Sequence, residues 1–487
     1  MFKKLISIFI AITFSLFLAG RYVVFSQVTW TTYNPNDPGV NLGSNQVYAI
    51  AVDPNDGGKT IWAGCRPNDT WGWVGGLSKF NTEYEEWTFF TKDNSRLPEN
   101  RIWDIDFDSK GNLWIGTNGG GLAKFAPPYG DNDWTVYTEE NGLGFKNIYE
   151  IAIDENDVLW LGHGAPFPDG NSTAALTIFD GEDQWLVLTK DNSPLEENSC
   201  YAITFGLDGD KWLGQKNKGI FRLNDNGTPF DPSDDIWTHY TKSDGMGENT
   251  FNSNSADTNI NGEVWFGHSR NDSGIWDPGC SRFDGTIWTN YQFGETRIRS
   301  ITHDAQGNVW LGDKGGEEST GLWKFDGQNW ENWNTLNSDL PIDYINDVVI
   351  DNQNGLIWIG TFNPDNGDAK GGVVKVEGLI IPVSVELKQS SVPSEFYLAQ
   401  NYPNPFNPVT TINYDIPQGM GVHVKIEIFN LRGQPVSILV DKTQQAGHYS
   451  ARWDGKDFDG RKAPSGIYWY QLTAGQHTLT RKMVLVY

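Results

Sequence analysis

Two histidines stand in matching places, each directly after a Trp-x-Gly triplet. His163 follows Trp160-Leu161-Gly162, and His268 follows Trp265-Phe266-Gly267. Imidazole titrates near neutral pH and is a common metal ligand, so such a pair, if brought together, would hold an ion or move protons. A second group is acidic: Asp225, Asp231, Asp234 and Asp235 crowd the stretch from Asn224 to Asp235. Oxygen-rich loops of this kind hold calcium, although the spacing here is not that of the full calcium loop. Calcium is the one ion the sequence suggests, no other cofactor is evident, and a solvated loop is the alternative. The third group mixes aromatic and polar side chains. Trp71, Trp73 and Trp276 lie with the two histidines in loop insertions, and Trp103, Tyr149, Tyr201, Asn252, Arg299 and Asn346 recur at one place in a repeated pattern. Aromatic faces offer apolar area to sugar rings, and amides and charged groups bond hydroxyls. These residues are the candidate ligand contacts, and packing between elements is their alternative role. No nucleophile–base arrangement, phosphate loop or paired-carboxylate motif is legible.

A repeat positions these residues. Trp-x-Gly occurs at Trp62, Trp114, Trp160, Trp212, Trp265, Trp310 and Trp358, at intervals of 52, 46, 52, 53, 45 and 48 residues. A period near fifty with strand-like content marks a radial repeat. In the cleanest copy, Ile102–Phe107, Leu113–Gly116, Leu122–Phe125 and Trp134–Tyr137 read as four short strands joined by tight turns, which is one propeller blade. First strands open at Val47, Ile102, Ile148, Cys200, Phe251, Ile298 and Ile345. Six residues later stand Asp53, Asp108, Asp154, Gly206, Asp257, Asp304 and Asp351, and the Asp side chains are expected to accept backbone N–H bonds and shape the turn. One residue after each opening come Tyr48, Trp103, Tyr149, Tyr201, Asn252, Arg299 and Asn346, which places them at the mouth of the central channel. In the fifth copy Asn252-Ser253-Asn254-Ser255 replaces the apolar strand.

The strand Trp30–Tyr33 precedes any complete blade, and the last copy stops at Val373–Val376 without a fourth strand. Pairing the two closes the ring and removes exposed sheet edges. The expectation is an all-β, seven-bladed propeller over residues 27–378, with the N-terminal strand completing the last blade. Counted from the Gly of Trp-x-Gly to the third strand, the gaps are 13, 6, 14, 6, 13, 10 and 13. Six is the minimal turn, so the insertions collect on one ring face, as binding loops do.

Residues 1–26 read as a signal peptide: Lys3 and Lys4 precede a short apolar run from Leu5 to Ala19, too short for a typical membrane span. With that segment cleaved, no stable transmembrane segment is expected. The formal net charge is -26, from 36 basic and 62 acidic residues, which repels phosphate backbones and argues against nucleic acid. Neutral sugars, cations and proteins suit it better. The chain has 3 cysteines. Cys200 and Cys280 take apolar core positions and read as buried thiols, with a bridge between them as the alternative.

Residues 379–395 form a Pro- and Ser-containing linker, and 396–487 carry strands without helical periodicity, expected to form an immunoglobulin-like β-sandwich. The run Asn401-Tyr402-Pro403-Asn404-Pro405-Phe406-Asn407-Pro408, with Ile428-Phe429-Asn430-Leu431-Arg432-Gly433, Trp453-Asp454-Gly455 and Ser465-Gly466-Ile467-Tyr468, resembles the type A C-terminal sorting domain of the type IX secretion system. That resemblance implies contact with the secretion and sorting machinery, and a protein secreted from a bacterium or attached to its outer surface. Leu113-Trp114-Ile115-Gly116-Thr117, followed by Gly119-Gly120-Gly121-Leu122, resembles the two-component regulator propeller repeat. That resemblance implies a ligand-binding capacity, for a glycan or a protein, on the face of the long loops. Two other readings stay open: a lyase or hydrolase acting on a polysaccharide or cyclic ester at the channel mouth, and a structural or adhesive surface protein.

Overall fold

The computed structural model describes residues 28–487, apart from 69–71, 165–171, 248–250, 269–278, 295, 316–318, 364–369, 381, 383–395, 399–400, 402–405, 407, 409, 418–420, 445–446, 459, 476 and 487. The expected signal peptide therefore lies outside the described residues. The chain divides into two compact units, Met1–Val383 and Ser384–Tyr487. No helix among the described residues is long and apolar enough to cross a membrane.

Among the described residues, the first unit holds seven four-stranded antiparallel sheets. Their inner strands are Val47–Val52, Ile102–Phe107, Ile148–Ile153, Ala202–Phe205, Phe251–Thr258, Ile298–His303 and Ile345–Asp351. Each inner strand touches those of the neighbouring sheets, and the last touches the first, so the sheets are blades in a closed ring. The closing pair is in the register Trp30↔Val376 to Tyr33↔Val373, with Thr29 opposite Glu377.

Both halves of Trp-x-Gly have a packing reason. A Cβ on Gly64 would come within 2.6 Å of Ile102 Cγ2, and on Gly312 within 2.6 Å of Ile345 Cγ2. On Gly360 it would meet Val47 Cγ1 at 3.0 Å, across the closure. Each of these glycines is therefore where the opening residue of the next blade lands, and any side chain there would push blades apart. The Trp side chains are buried between blades, each removing a large apolar area from water. Trp114 packs with Leu122 of its own blade and with Ile148, Leu161 and Phe179 of the next.

In four of the seven blades the polar edge of the indole is met by the Asp at the end of the inner strand, whereas the indole N–H groups of Trp212, Trp265 and Trp358 are buried without a partner among the described residues. Trp114 Nε1 donates to Asp108 Oδ2 at 3.0 Å and Trp310 Nε1 to Asp304 Oδ2 at 3.0 Å, while Trp62 and Trp160 reach Asp53 and Asp154 at 3.4 Å. The other Asp108 oxygen accepts from the backbone N–H of Lys110 and Asn112, which holds the turn.

Blade five departs from the register read in the sequence. Its turn acceptor is Asn259, whose Oδ1 takes the N–H groups of Asn261 and Glu263. Asp257 instead accepts from His303 Nδ1 at 2.6 Å in blade six. The inner strand runs from Phe251 to Thr258, and its pairing jumps from Phe251↔His268 to Ala256↔Phe266. Extra residues in this irregular stretch displace the turn by two positions relative to the spacing of the other blades.

All three cysteines are free and buried. Cys200 and Cys280 occupy the core positions expected of them and are not bridged. Burial raises their thiol pKa values and pushes that of Cys65 up to about 12, so none is a thiolate at neutral pH.

The second unit packs two sheets on one core. Tyr397–Leu398, Thr410–Ile416 and Gly447–Trp453 form one; Pro435–Gln444, Val422–Phe429, Gly466–Ala474 and His477–Leu485 form the other. Ile412 and Tyr414 from the first meet Val424, Ile426, Ile428 and Tyr470 from the second. The Asn-Pro-rich segment is tied down at both ends. The Asn401 N–H donates to Tyr470 Oη at 2.7 Å, and Phe406 exchanges backbone bonds of 2.9 Å with Val484 and Val486. At the other boundary, Leu379 and Ile380, expected to begin the linker, pack into the core of blade seven.

Candidate functional site

The loops after the second strands and the starts of the first strands lie side by side. The N–H of Arg66 donates to Gln46 O, Asn118 to Arg101 O, Lys314 to Arg297 O and Phe362 to Tyr344 O, at 2.8–2.9 Å. The inserted loops and the opening ends of the inner strands therefore share one ring face.

At that face five of the seven inner strands carry a one-residue β-bulge, while the inner strand of blade four pairs without a shift. The pairing register shifts between Val47 and Ala49, Ile102 and Asp104, Ile148 and Glu150, Ile298 and Ser300, and Ile345 and Asp347. The residue skipped in each case is Tyr48, Trp103, Tyr149, Arg299 or Asn346. A bulge re-aims a side chain out of the normal alternation, and bulges recur beside binding sites. The sequence position singled out for ligand contact is thus the bulge position of the blade.

The bulge side chains make a continuous band. Tyr48 meets Trp103 edge-on at 5.0 Å, Trp103 stacks on Tyr149 at 4.6 Å, and Tyr149 meets Tyr201 at 5.1 Å. Phe362, from the loop after the second strand of blade seven, extends the band beyond Tyr48 at 6.0 Å. Trp103 Nε1 donates to Asn118 Oδ1 at 3.2 Å, which fixes the ring. Arg299 lies over Tyr48, its Cζ 4.7 Å from the ring centre, and is only 3% exposed. Asn346 is wholly buried and donates from Nδ2 to Val47 O at 2.9 Å, tying blade seven to blade one.

One residue deeper stand buried carboxylates that sequence reasoning did not single out. Asp104 Oδ2 accepts the Ile151 N–H at 2.6 Å, and Asp347 Oδ2 accepts the Ile50 N–H at 2.7 Å. Glu150 Oε1 accepts from Ile203 N at 3.4 Å. Each reaches the inner strand of the following blade, so these acids staple blades together. Burial holds the Asp347 carboxyl above its usual range, opposed by its hydrogen bonds and by Arg299.

The remaining candidates fall elsewhere. His163 is buried within blade three, with Nδ1 3.1 Å from Asn147 O and Nε2 2.7 Å from Thr177 Oγ1; burial lowers its pKa to about 4. His268 lies 2.7 Å from Ser281 Oγ inside blade five. The two histidines are thus each anchored in their own blade rather than joined. Trp73 closes a small bridge with Asn68 at the base of its loop. Trp71 and Trp276 lie outside the described residues, as does the side chain of Asn252. In the acidic loop, Asp225 binds Lys211 Nζ at 2.6 Å, Asp231 accepts from Ser233 N, and Asp234 accepts from Thr228 Oγ1 at 3.0 Å. Asp235 follows at the end of that short turn, and burial raises its pKa. Among the described residues no group of three or more His, Cys, Asp or Glu is placed to hold a metal.

A cavity of about 610 Å³ opens at the opposite ends of the inner strands, lined by Ile50, Ile105, Phe107, Val349 and Asp106. Burial pushes the Asp106 carboxyl up to about 7. Asp108, the other carboxylate of the lining, has its oxygens taken by the turn and by Trp114. The cavity therefore presents one isolated carboxyl rather than an acid–base pair.

Known proteins agree with this architecture. Residues 400–486 match the secretion system C-terminal sorting domain, and residues 96–119 match the two component regulator propeller. No curated protein matches the sequence significantly. Among solved structures the chain resembles PorZ, an essential bacterial surface component of the type-IX secretion system of Porphyromonas gingivalis. The identity is 18% and the TM-score 0.51, over 92% of this chain and 60% of PorZ. It also resembles the extracellular domains of BT3049 and BT4673 from B. thetaiotaomicron, both named as hybrid two component systems. Their identities are 15% and 14% and their TM-scores 0.54 and 0.52, over 95% and 94% of this chain. This chain spans about 58–60% of the length of these three. At these identities the likeness is one of fold. The chain thus carries propeller repeats of the two component regulator kind and a type IX sorting domain, which directs it to the secretion machinery and the outer cell surface.

Proposed function

We propose that this exported propeller is a binding protein that takes a glycan at the channel mouth, on the face of the inserted loops. The observation that carries the reading is the aromatic band formed by the bulge residues Tyr48, Trp103 and Tyr149 and continued by Tyr201, at one end of the inner strands. The part-exposed rings of Trp103 and Tyr201 offer a sugar the apolar face it needs, with the buried Tyr48 and Tyr149 packed behind them. The titratable groups nearby are committed: Asp104 and Asp347 accept backbone N–H groups of the next blade, which favours binding over hydrolysis.

The test is calorimetric titration of the full-length exported protein with a panel of oligosaccharides, with product size followed in parallel. Saturable binding without new fragments, weakened at least tenfold in Trp103→Ala, is the expected result. Fragmentation would make it an enzyme. Absence of binding to every glycan, with capture of a protein partner through the same face, would overturn the reading.

A further inference from the structure

The channel mouth is electropositive in a protein of net charge -26. Arg299 stands over Tyr48 at 4.7 Å and within 6.0 Å of the Trp103 ring centre. Lys314 Nζ lies 5.2 Å from the Tyr48 ring centre and 5.6 Å from that of Phe362. Arg66 donates from Nη1 to Tyr48 Oη at 3.1 Å, and its guanidinium is 5.9 Å from the same ring. Arg101 is near enough for its charge, with those of Arg299 and Arg66, to act on the Tyr149 phenol.

Arg299, the buried member of the group, lacks what a buried cation normally has, and the part-exposed Arg66, Arg101 and Lys314 beside it bring no acid of their own. Among the described residues, none of Arg66, Arg101, Arg299 and Lys314 makes an ion pair, although exposed lysines elsewhere do. Nε and Nη2 of Arg299 and Nε of Arg101 are buried without any hydrogen-bond partner. Burial first, then the charges of Arg299, Arg297 and Arg66, hold the Lys314 ammonium well below the ordinary lysine range. Among the described residues, the acids whose fields act on Arg299 are Asp347, Glu150 and Asp104, and all three are engaged as blade staples. A buried guanidinium with free N–H groups is costly unless an anion completes it. Its planar fork suits the two oxygens of a carboxylate or sulfate.

We infer that the glycan bound at this mouth is acidic, with a carboxylate or sulfate group seated on Arg299, Arg66 and Lys314 and its sugar ring against the part-exposed Trp103 and Phe362. The inference rests on the glycan-binding reading above and specifies its ligand class. The acidic surface works as a filter: it repels polyanions generally, so an acidic glycan that binds must do so at this locally positive patch.

The experiment titrates the full-length protein with three matched sets: neutral galacto-oligosaccharides, oligogalacturonates and sulfated galacto-oligosaccharides, each at low and high salt. At least one acidic set should bind tenfold or more tighter than the neutral one, with affinity falling as salt rises. The two acidic arms separate carboxylate from sulfate recognition. Arg299→Gln and, separately, the less buried Arg66→Gln should each weaken acidic binding at least tenfold and weaken any neutral binding by a clearly smaller factor. Equal affinity for neutral and acidic sets, or acidic binding indifferent to both substitutions, overturns the inference and leaves glycan binding standing. No binding by any set overturns the inference, and the glycan reading falls with it when the wider oligosaccharide panel is silent as well.

Discussion

The two ends of the inner strands are built to opposite rules. At the cavity end four blades repeat one device: Asp53, Asp108, Asp154 and Asp304 each accept a Trp Nε1 and hold a turn. At the loop end the equivalent residues are Tyr48, Trp103, Tyr149, Arg299 and Asn346, all at the same bulge and serving different contacts. Stability in a ring is a sum of like interfaces, so the device that closes them repeats. Recognition needs unlike groups around one ligand, so the position facing the mouth varies.

If this contrast holds, breaking the repeated end should unfold the protein and breaking the varied end should silence it. The largest stability loss is expected for Asp108→Ala, which strands the buried Trp114 Nε1 and two backbone N–H groups. Denaturant unfolding should show a loss of about 2–4 kcal/mol, and calorimetry should show unchanged glycan affinity at temperatures where it stays folded.

A second substitution sharpens the contrast in the one blade that departs from it. Asn259→Ala should cost about 1–2 kcal/mol through the lost turn acceptor, while Asp257→Asn, which can keep a bond to His303, should cost about 0.5 kcal/mol or less. The reverse order in unfolding experiments would restore the unshifted register.

The buried His163 adds a pH signature. Its folded pKa, about 4, lies below the usual 6.5, so the unfolded chain takes up a proton that the folded chain refuses. Its contribution to stability is intact above 6.5 and declines as pH falls from there toward about 4. The slope is about 1.4 kcal/mol per pH unit where that difference is fullest. His163→Asn should flatten the unfolding curve by that amount, and equal slopes in both proteins would exclude it.

The smallest stability effect belongs to the mouth. Arg299→Met removes a buried, incompletely bonded charge and should change unfolding by about 1 kcal/mol or less, in either direction. The same variant should lose most acidic-glycan binding. A large destabilisation with binding retained would make Arg299 a structural residue and erase the contrast between the two ends.

Much of the fold was legible because a ring writes its closure in the sequence. Trp-x-Gly marks where blades touch, and the unpaired Trp30–Tyr33 and Val373–Val376 demanded each other. The bulge residues were found by counting from the opening apolar position. That count failed in blade five because Asn252 to Ser255 add length inside a strand, where no turn residue announces it. The histidines share a repeat position, and the repeat order, which puts them in the non-adjacent blades three and five, already spoke against a shared site.

The sequence alone determined the repeat, the closure and the targeting, since these rest on periodicity, on strand-pairing demand and on a local motif. Only the tertiary structure decided that Trp-x-Gly needs glycine because the next blade lands on it, and that a bulge turns Tyr48, Trp103 and Arg299 toward one another. It also decided the charge of the mouth. Arg66 and Arg101 lie far along the chain from Arg299 and Lys314, and overall composition predicts a surface that repels anions. Closing the ring between blades seven and one brings them together, and bulk charge says nothing about a patch that long-range closure assembles.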